Sequence, residues 1–138
     1  MRLITRGLGY GLCSFSVSVA ITLILYKFSV IHELPPDIRP LHILYAVIIA
    51  PLFEEFIFRF IPIKLTEIFT KRKSILWSVV VLSSILFGVA HGSWYNIFIQ
   101  GPSGIILSVA FLRGGYFTSV AAHATHNGIT LLIINLGF

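Results

Sequence analysis

The chain alternates long runs of apolar residues with short polar segments. A helix needs roughly 20 mostly apolar residues to cross the hydrocarbon core of a bilayer, and several runs here approach that length. They predict five helices, over Leu8–Ile31, Leu41–Ile61, Ser74–His91, Ile97–Leu112 and Thr118–Leu136. The segment His32–Pro40 contains three prolines, which remove backbone donors and predict a loop. We therefore expect an all-α fold, a polytopic membrane bundle of about five transmembrane helices.

The composition supports a bilayer as the surrounding solvent. Hydrophobic residues make up 57% of the 138 residues and charged residues only 11%, which is too little polar surface for a water-soluble globule of this size. The net charge of +5 does not indicate nucleic-acid binding, because the basic residues stand mostly at the ends of apolar runs. The expected surroundings are the lipid bilayer and no nucleic acid.

The basic residues also predict an orientation in the membrane. Seven of them fall on one side of a five-helix arrangement: Arg2, Arg6, Lys64, Lys71, Arg72, Lys73 and Arg113. Because positively charged loops resist translocation, that side is the cytoplasmic one. We expect a multi-pass protein of the cell membrane with a cytoplasmic N-terminus. The expected membrane is a bacterial inner membrane.

The second predicted helix places two adjacent carboxylates, Glu54 and Glu55, inside an apolar run. A charged residue at the bilayer centre costs roughly 2.5 to 3.5 kcal/mol or more, so such residues pair or face a wet cavity. Glu55 and Arg59 are four residues apart on one helical face, which predicts an ion pair. Pro51 frees a carbonyl one turn back. The glutamates either form a functional polar site or only tie this helix to its neighbours.

Further polar side chains occur in two later helices. His91 closes the third predicted helix, and the fifth contains His123 and Asn127, which are four residues apart and share a face. Two side chains on one face can converge on one ligand atom. A single membrane histidine is often only a hydrogen-bond donor between helices. His126 lies off this face, and we expect it to serve in packing or hydrogen bonding.

Three short motifs thus follow one another on successive predicted helices: Glu54-Glu55-x-x-x-Arg59, Phe87-x-x-x-His91 and His123-x-x-x-Asn127. They resemble the motifs of the CPBP intramembrane proteases, a family that includes the type II CAAX prenyl endopeptidases, the bacterial Abi proteins and the glutamic-type sorting proteases. The resemblance runs from about Leu41 to Leu136. We expect residues 1–40 to form a first membrane span and a Pro-rich loop, and residues 41–138 to form the CPBP-like catalytic core.

The resemblance implies an endopeptidase that cuts a lipidated or membrane-inserted peptide. We expect it to need no cofactor, because the neutral Asn127 is a poor zinc ligand but a good oxyanion donor. The resemblance also implies that Glu54 and His91 activate a water, and that His123 and Asn127 stabilise the oxyanion. Amide hydrolysis does require a positioned base and preorganised donors where negative charge develops.

The resemblance further implies that Glu55 and Arg59 orient the site. Two alternatives stay open. Glu54, His91 and His123 match the two-histidine, one-carboxylate ligand set of catalytic zinc sites, which would make the protein a zinc-dependent intramembrane protease. The same polar pocket would also suit a non-catalytic immunity protein that binds a membrane peptide, and only catalysis needs Glu54 to be ionisable.

Overall fold

The computed structural model describes residues 2–31 and 43–136, and within these ranges it contains helices and turns but no strand. Helix α1 spans Arg2–Lys27, α2 residues 45–69, α3 Lys73–Val89, α4 Asn96–Gly114 and α5 Tyr116–Asn135. The predicted loop His32–Pro40 and the first two residues of the second predicted helix lie outside the described residues. The predicted all-α fold with five helices is confirmed for the described part of the chain.

Helix α2 is a continuous rod in which π-helical and α-helical segments alternate: Tyr45–Ile49 (π), Ala50–Glu55 (α), Phe56–Phe60 (π) and Ile61–Phe69 (α). Each π segment ends two residues before a proline, Pro51 or Pro62. A proline has no N–H and crowds the carbonyl four residues back, and a turn with i→i+5 bonds accommodates both defects. The predicted end of this helix at Ile61 is therefore wrong, because the helix continues past Pro62 to Phe69.

Helix α1 packs against α4 and α5 through a stripe of small side chains. The buried residues of α1, among those described, are Gly7, Gly11, Ser14 and Ser18. A Cβ added at Gly11 would lie 2.5 Å from the Cβ of Thr125, so the close approach to α5 requires a glycine. Stripes of this kind let membrane helices come together without large side chains.

A tight turn joins the last two helices. Gly115 stands between them with a φ of 82°, a conformation that glycine adopts without steric cost. Directly after the turn, the Tyr116 hydroxyl donates a hydrogen bond of 2.6 Å to the carbonyl of Leu52. The turn therefore anchors the beginning of α5 to the middle of α2.

The described surface is apolar and the interior is partly polar. Phe28, Ile68 and Phe69 are 72%, 73% and 83% exposed. The buried side chains include many small polar ones: Ser14, Ser18, Ser83, Ser84, Ser103, Ser108, Thr118 and Ser119. Exposed apolar area on this scale marks a surface that contacts lipid or other protein.

Two described helices are long and apolar enough to cross a membrane, α1 over Leu3–Lys27 and α4 over Asn96–Gly114. Helix α3 is apolar but has only 17 residues, and it ends at Val89, so the predicted helix end at His91 is wrong. Helix length and composition therefore support two membrane spans among the described residues, whereas the sequence analysis predicts five.

Candidate active site

The Glu55 carboxylate joins α2 to α5 inside the bundle. Its Oε1 lies 3.1 Å from Nη1 of Arg59, one turn further along α2, and 2.8 Å from Nδ1 of His123 on α5. All three side chains are buried. The predicted ion pair between Glu55 and Arg59 is confirmed. Since an ionised carboxylate only accepts, His123 donates its Nδ1 proton to Glu55.

Arg59 is held by an aromatic ring and by a small residue. Its guanidinium carbon lies 4.1 Å from the centroid of the Phe87 ring on α3, a cation–π contact. A Cβ added at Gly104 on α4 would lie only 3.1 Å from Nη2 of Arg59, so this position leaves room for the guanidinium. Nε and Nη2 of Arg59 have no hydrogen-bond partner among the described residues. The buried positive charge therefore depends on Glu55.

Glu54 faces the other nitrogen of the same imidazole. Its Oε2 lies 3.7 Å from Nε2 of His123, which is too long for a hydrogen bond but close enough for a strong charge interaction. The Glu54 side chain is 29% exposed, whereas that of Glu55 is 0% exposed. The two adjacent carboxylates thus occupy the two sides of one histidine ring, and the more accessible one is Glu54.

Asn127 lies one turn beyond His123 and fills a gap in the backbone of α2. Its Nδ2 donates a hydrogen bond of 2.7 Å to the carbonyl of Ala46. In this π segment the Ala50 N–H bonds to Tyr45, five residues back, so the donor for Ala46 in the same register would be residue 51. That residue is Pro51, which has no N–H. Asn127 supplies the missing donor and keeps one further Nδ2 hydrogen.

His91 lies in the turn after α3 and is exposed. Its Nδ1 is 2.7 Å from the carbonyl of Phe87, and since a carbonyl only accepts, Nδ1 carries the proton. The Phe87 ring contacts both histidines, with centroid distances of 4.6 Å to His91 and 5.6 Å to His123. Among the described residues, 2–31 and 43–136, His91 and Glu54 share neither an ion pair nor a hydrogen bond. Phe87, which begins the second motif in the sequence, thus contacts both motif histidines in the structure.

His126 is turned away from the two glutamates, as expected from the sequence. Its Nδ1 lies 2.8 Å from the hydroxyl of Ser14 on α1, and its ring meets Phe15 edge to face. The side chain is buried. The expectation that His126 serves in packing or hydrogen bonding is confirmed.

The zinc alternative needs Glu54, His91 and His123 to converge on one ion. Within the part of the chain that the structure describes, no three His, Cys, Asp or Glu side chains lie close enough to hold a metal ion. The arrangement places His123 between two carboxylates and leaves His91 outside this contact. The three side chains therefore do not form one ligand set among the described residues.

A protein-family model described as Type II CAAX prenyl endopeptidase Rce1-like matches residues 36–129. The match covers more than half of the chain and includes all the residues of the three motifs, so the chain belongs to this family of membrane-embedded proteases. The resemblance to the CPBP proteases is thereby confirmed. The family implies a hydrolase that acts on membrane-associated substrates. No curated protein and no solved structure matches the chain.

Proposed function

We propose that this protein is a glutamic-type intramembrane endopeptidase that hydrolyses a peptide bond of a lipidated or membrane-inserted substrate. The observation that carries the proposal is the position of His123, with Glu55 at Nδ1 and Glu54 near Nε2. Glu55 fixes the ring, and Glu54 is the accessible carboxylate beside it. A positioned base next to a positioned donor is what amide hydrolysis requires.

The contacts around His123 support a separate role for each ring nitrogen. Nδ1 donates to Glu55, which is itself paired with Arg59, so the ring is held in one orientation. Nε2 faces Glu54, 3.7 Å from its Oε2. We infer that Nε2 is the ring atom that donates to the oxyanion, while the Glu54 carboxylate accepts the proton of the water.

The proposed reaction uses these groups in order. Glu54 takes a proton from a water, whose oxygen attacks the carbonyl carbon of the scissile bond. The resulting oxyanion accepts hydrogen bonds from Nε2–H of His123 and from the second Nδ2 hydrogen of Asn127. Glu54 then passes its proton to the leaving nitrogen, the C–N bond breaks, and a carboxylic acid and an amine are released, between which one proton moves to give a carboxylate and an ammonium group.

His91 is proposed to hold the same water from the other side. Because Nδ1 donates to the Phe87 carbonyl, Nε2 is the ring atom that remains to contact the water. The turn that carries His91 is itself tied down, since the Asn96 side chain donates to the His91 carbonyl at 2.8 Å. His91 thereby orients the water, and Glu54 removes its proton.

The proposed setting is a cell membrane crossed by five helices, with a first span and a loop in residues 1–40 and the catalytic core in residues 41–138. The charge distribution supports a cytoplasmic N-terminus, because Arg6, Lys64 and Arg113 from three helices surround one cavity. These three residues therefore lie at the same end of the bundle.

The test compares cells that express the natural protein, Glu54→Gln or the control Glu67→Gln. Glu67 is an acidic residue of α2 outside the site, and its carboxylate pairs with Lys64 at 2.7 Å. Mass spectrometry of membrane peptides should find new termini with the natural protein and with Glu67→Gln, but not with Glu54→Gln. New termini in none of the three strains would favour the peptide-binding alternative and contradict the proposal.

A further inference from the structure

We propose that a cavity at the basic end of the bundle binds the phosphate-bearing headgroup of an anionic phospholipid. The cavity has a volume of about 460 Å³. Its cations come from three different helices, Arg6 from α1, Lys64 from α2 and Arg113 from α4. The turn between α4 and α5 closes one side through Gly114 and Gly115. We call this space the basic cavity.

The charges around the basic cavity are unequal. Lys64 pairs with Glu67, whose carboxylate also lines the space, at a distance of 2.7 Å. Arg6 and Arg113 have no ion pair with any described residue. Three cations and one carboxylate leave two positive charges, which an anionic headgroup would neutralise. Guanidinium groups suit this ligand because their planar forks match the geometry of a phosphate.

Apolar and aromatic side chains form the walls of the basic cavity beside its cations. Phe60, Phe111, Leu112 and Tyr116 line it, and Phe60 is also part of the exposed apolar surface. The Lys64 Nζ lies 5.9 Å from the centroid of the Phe111 ring, so the charged and apolar parts adjoin. A phospholipid has a matching arrangement, because its charged phosphate adjoins its apolar acyl chains. A free anion would contact the cations but would leave the apolar walls without an apolar partner.

The location also favours a lipid over a soluble anion. This inference depends on the proposed membrane setting, in which the basic end lies at the cytoplasmic surface. Basic pockets between helices on that side recognise anionic headgroups, and each nearby cation strengthens the attraction about fivefold. Tyr116 connects the cavity to the site, because its hydroxyl bonds to the carbonyl of Leu52, two residues before Glu54. An occupied cavity should therefore stabilise the junction of α2 and α5.

The experiment uses the purified full-length protein in phosphatidylcholine nanodiscs, with increasing fractions of phosphatidylglycerol. We expect phosphatidylglycerol to raise the apparent Tm of the natural protein. The double variant Arg6→Gln/Arg113→Gln should lose most of this shift. The control Lys71→Gln/Arg72→Gln removes two charges from the neighbouring cavity at the same end and should keep the shift. The readout is thermal stability, so an absence of proteolysis would not affect it.

Four results would overturn the proposal, the last of them from the single variants. An equal loss of the shift in the control variant would indicate diffuse surface charge. An equal shift with added inorganic phosphate alone would indicate a soluble anion, and an equal shift with extra phosphatidylcholine would indicate bulk lipid. If the double variant shows no folded state, the single variants decide the matter. Each should raise the half-saturating fraction of phosphatidylglycerol about fivefold, and an unchanged fraction would contradict the proposal.

Discussion

His123 on α5 and Glu55 on α2 share a hydrogen bond of 2.8 Å between Nδ1 and Oε1, although 68 positions separate them in the sequence. The same Oε1 pairs with Arg59 at 3.1 Å. One buried carboxylate therefore neutralises a guanidinium and orients an imidazole. A substitution that removes the charge of Glu55 but keeps its shape should therefore affect Arg59 more than His123.

The variant Glu55→Gln should mainly lower stability. The amide oxygen can still accept from His123, but Arg59 is left buried without a counter-charge, and breaking a buried pair costs about 3–5 kcal/mol. Neutralising both partners in Glu55→Gln/Arg59→Met should recover part of that loss. Unfolding of the purified variants in detergent measures the difference.

The matched control for this prediction is Glu67→Gln. The pair of Glu67 with Lys64 is 40% and 50% exposed, and exposed pairs contribute only about 0–1 kcal/mol. If the double variant is no more stable than Glu55→Gln alone, an uncompensated Arg59 charge is not the cause of the loss.

The variant Asn127→Ala should slow turnover by about 10²- to 10³-fold, because it removes a proposed oxyanion donor. The control is Asn135→Ala on the same helix, where the Nδ2 donates to the carbonyl of Leu131, one turn back, at 2.8 Å. Metal analysis should find the same content in both variants and in the natural protein. Stoichiometric zinc in the active protein, with activity lost on chelation and restored by zinc, would favour the zinc mechanism instead.

The small-residue stripe of α1 predicts a contrast between two neighbouring glycines. Gly11→Val should destabilise the fold by about 1–3 kcal/mol, because its side chain would collide with Thr125. Gly9→Val should have little effect, since a Cβ at Gly9 meets no atom within 4 Å. Thermal unfolding of both proteins compares them. Equal destabilisation would mean that helix propensity, and not the contact with α5, sets the result.

Reporter fusions test the proposed orientation. A reporter placed after Phe138 should be extracytoplasmic, and one inserted near Lys71 should be cytoplasmic, because the basic residues collect at one end of the bundle. A phosphatase reporter active only outside and a fluorescent reporter active only inside give the two readouts. Both insertions on the same side would contradict the five-span arrangement.

Local spacing predicted some of the site but not its contacts between helices. The pair of Glu55 with Arg59 follows from four residues of helix, and that prediction is confirmed. The contact of Glu55 with His123 depends on how α2 and α5 are rotated about their axes, which spacing within each helix does not determine. The rotation of the helices also decides the position of His91: the resemblance places it beside Glu54, but the two share no hydrogen bond or ion pair among the described residues.

The π segments of α2 explain two further differences. The sequence indicated that Pro51 frees a carbonyl one turn back, and the π register makes it the Ala46 carbonyl, which Asn127 binds. The same kind of turn carries α2 past Pro62, beyond the predicted end. In contrast, the pattern Gly7-x-x-x-Gly11 was a usable signal for close helix packing, and its contact with α5 shows what it indicates.

Hydrolysis by Glu54 is tested most directly in water enriched in ¹⁸O. The purified full-length protein, Glu54→Gln and Glu67→Gln are each incubated with membrane peptides extracted from cells that lack the protein, and new C-termini are read by mass spectrometry. We predict new carboxylates carrying ¹⁸O with the natural protein and with Glu67→Gln, and none with Glu54→Gln although it stays folded. Equal labelling by Glu54→Gln, or no labelled terminus with the natural protein, would contradict Glu54 as the base of an intramembrane endopeptidase.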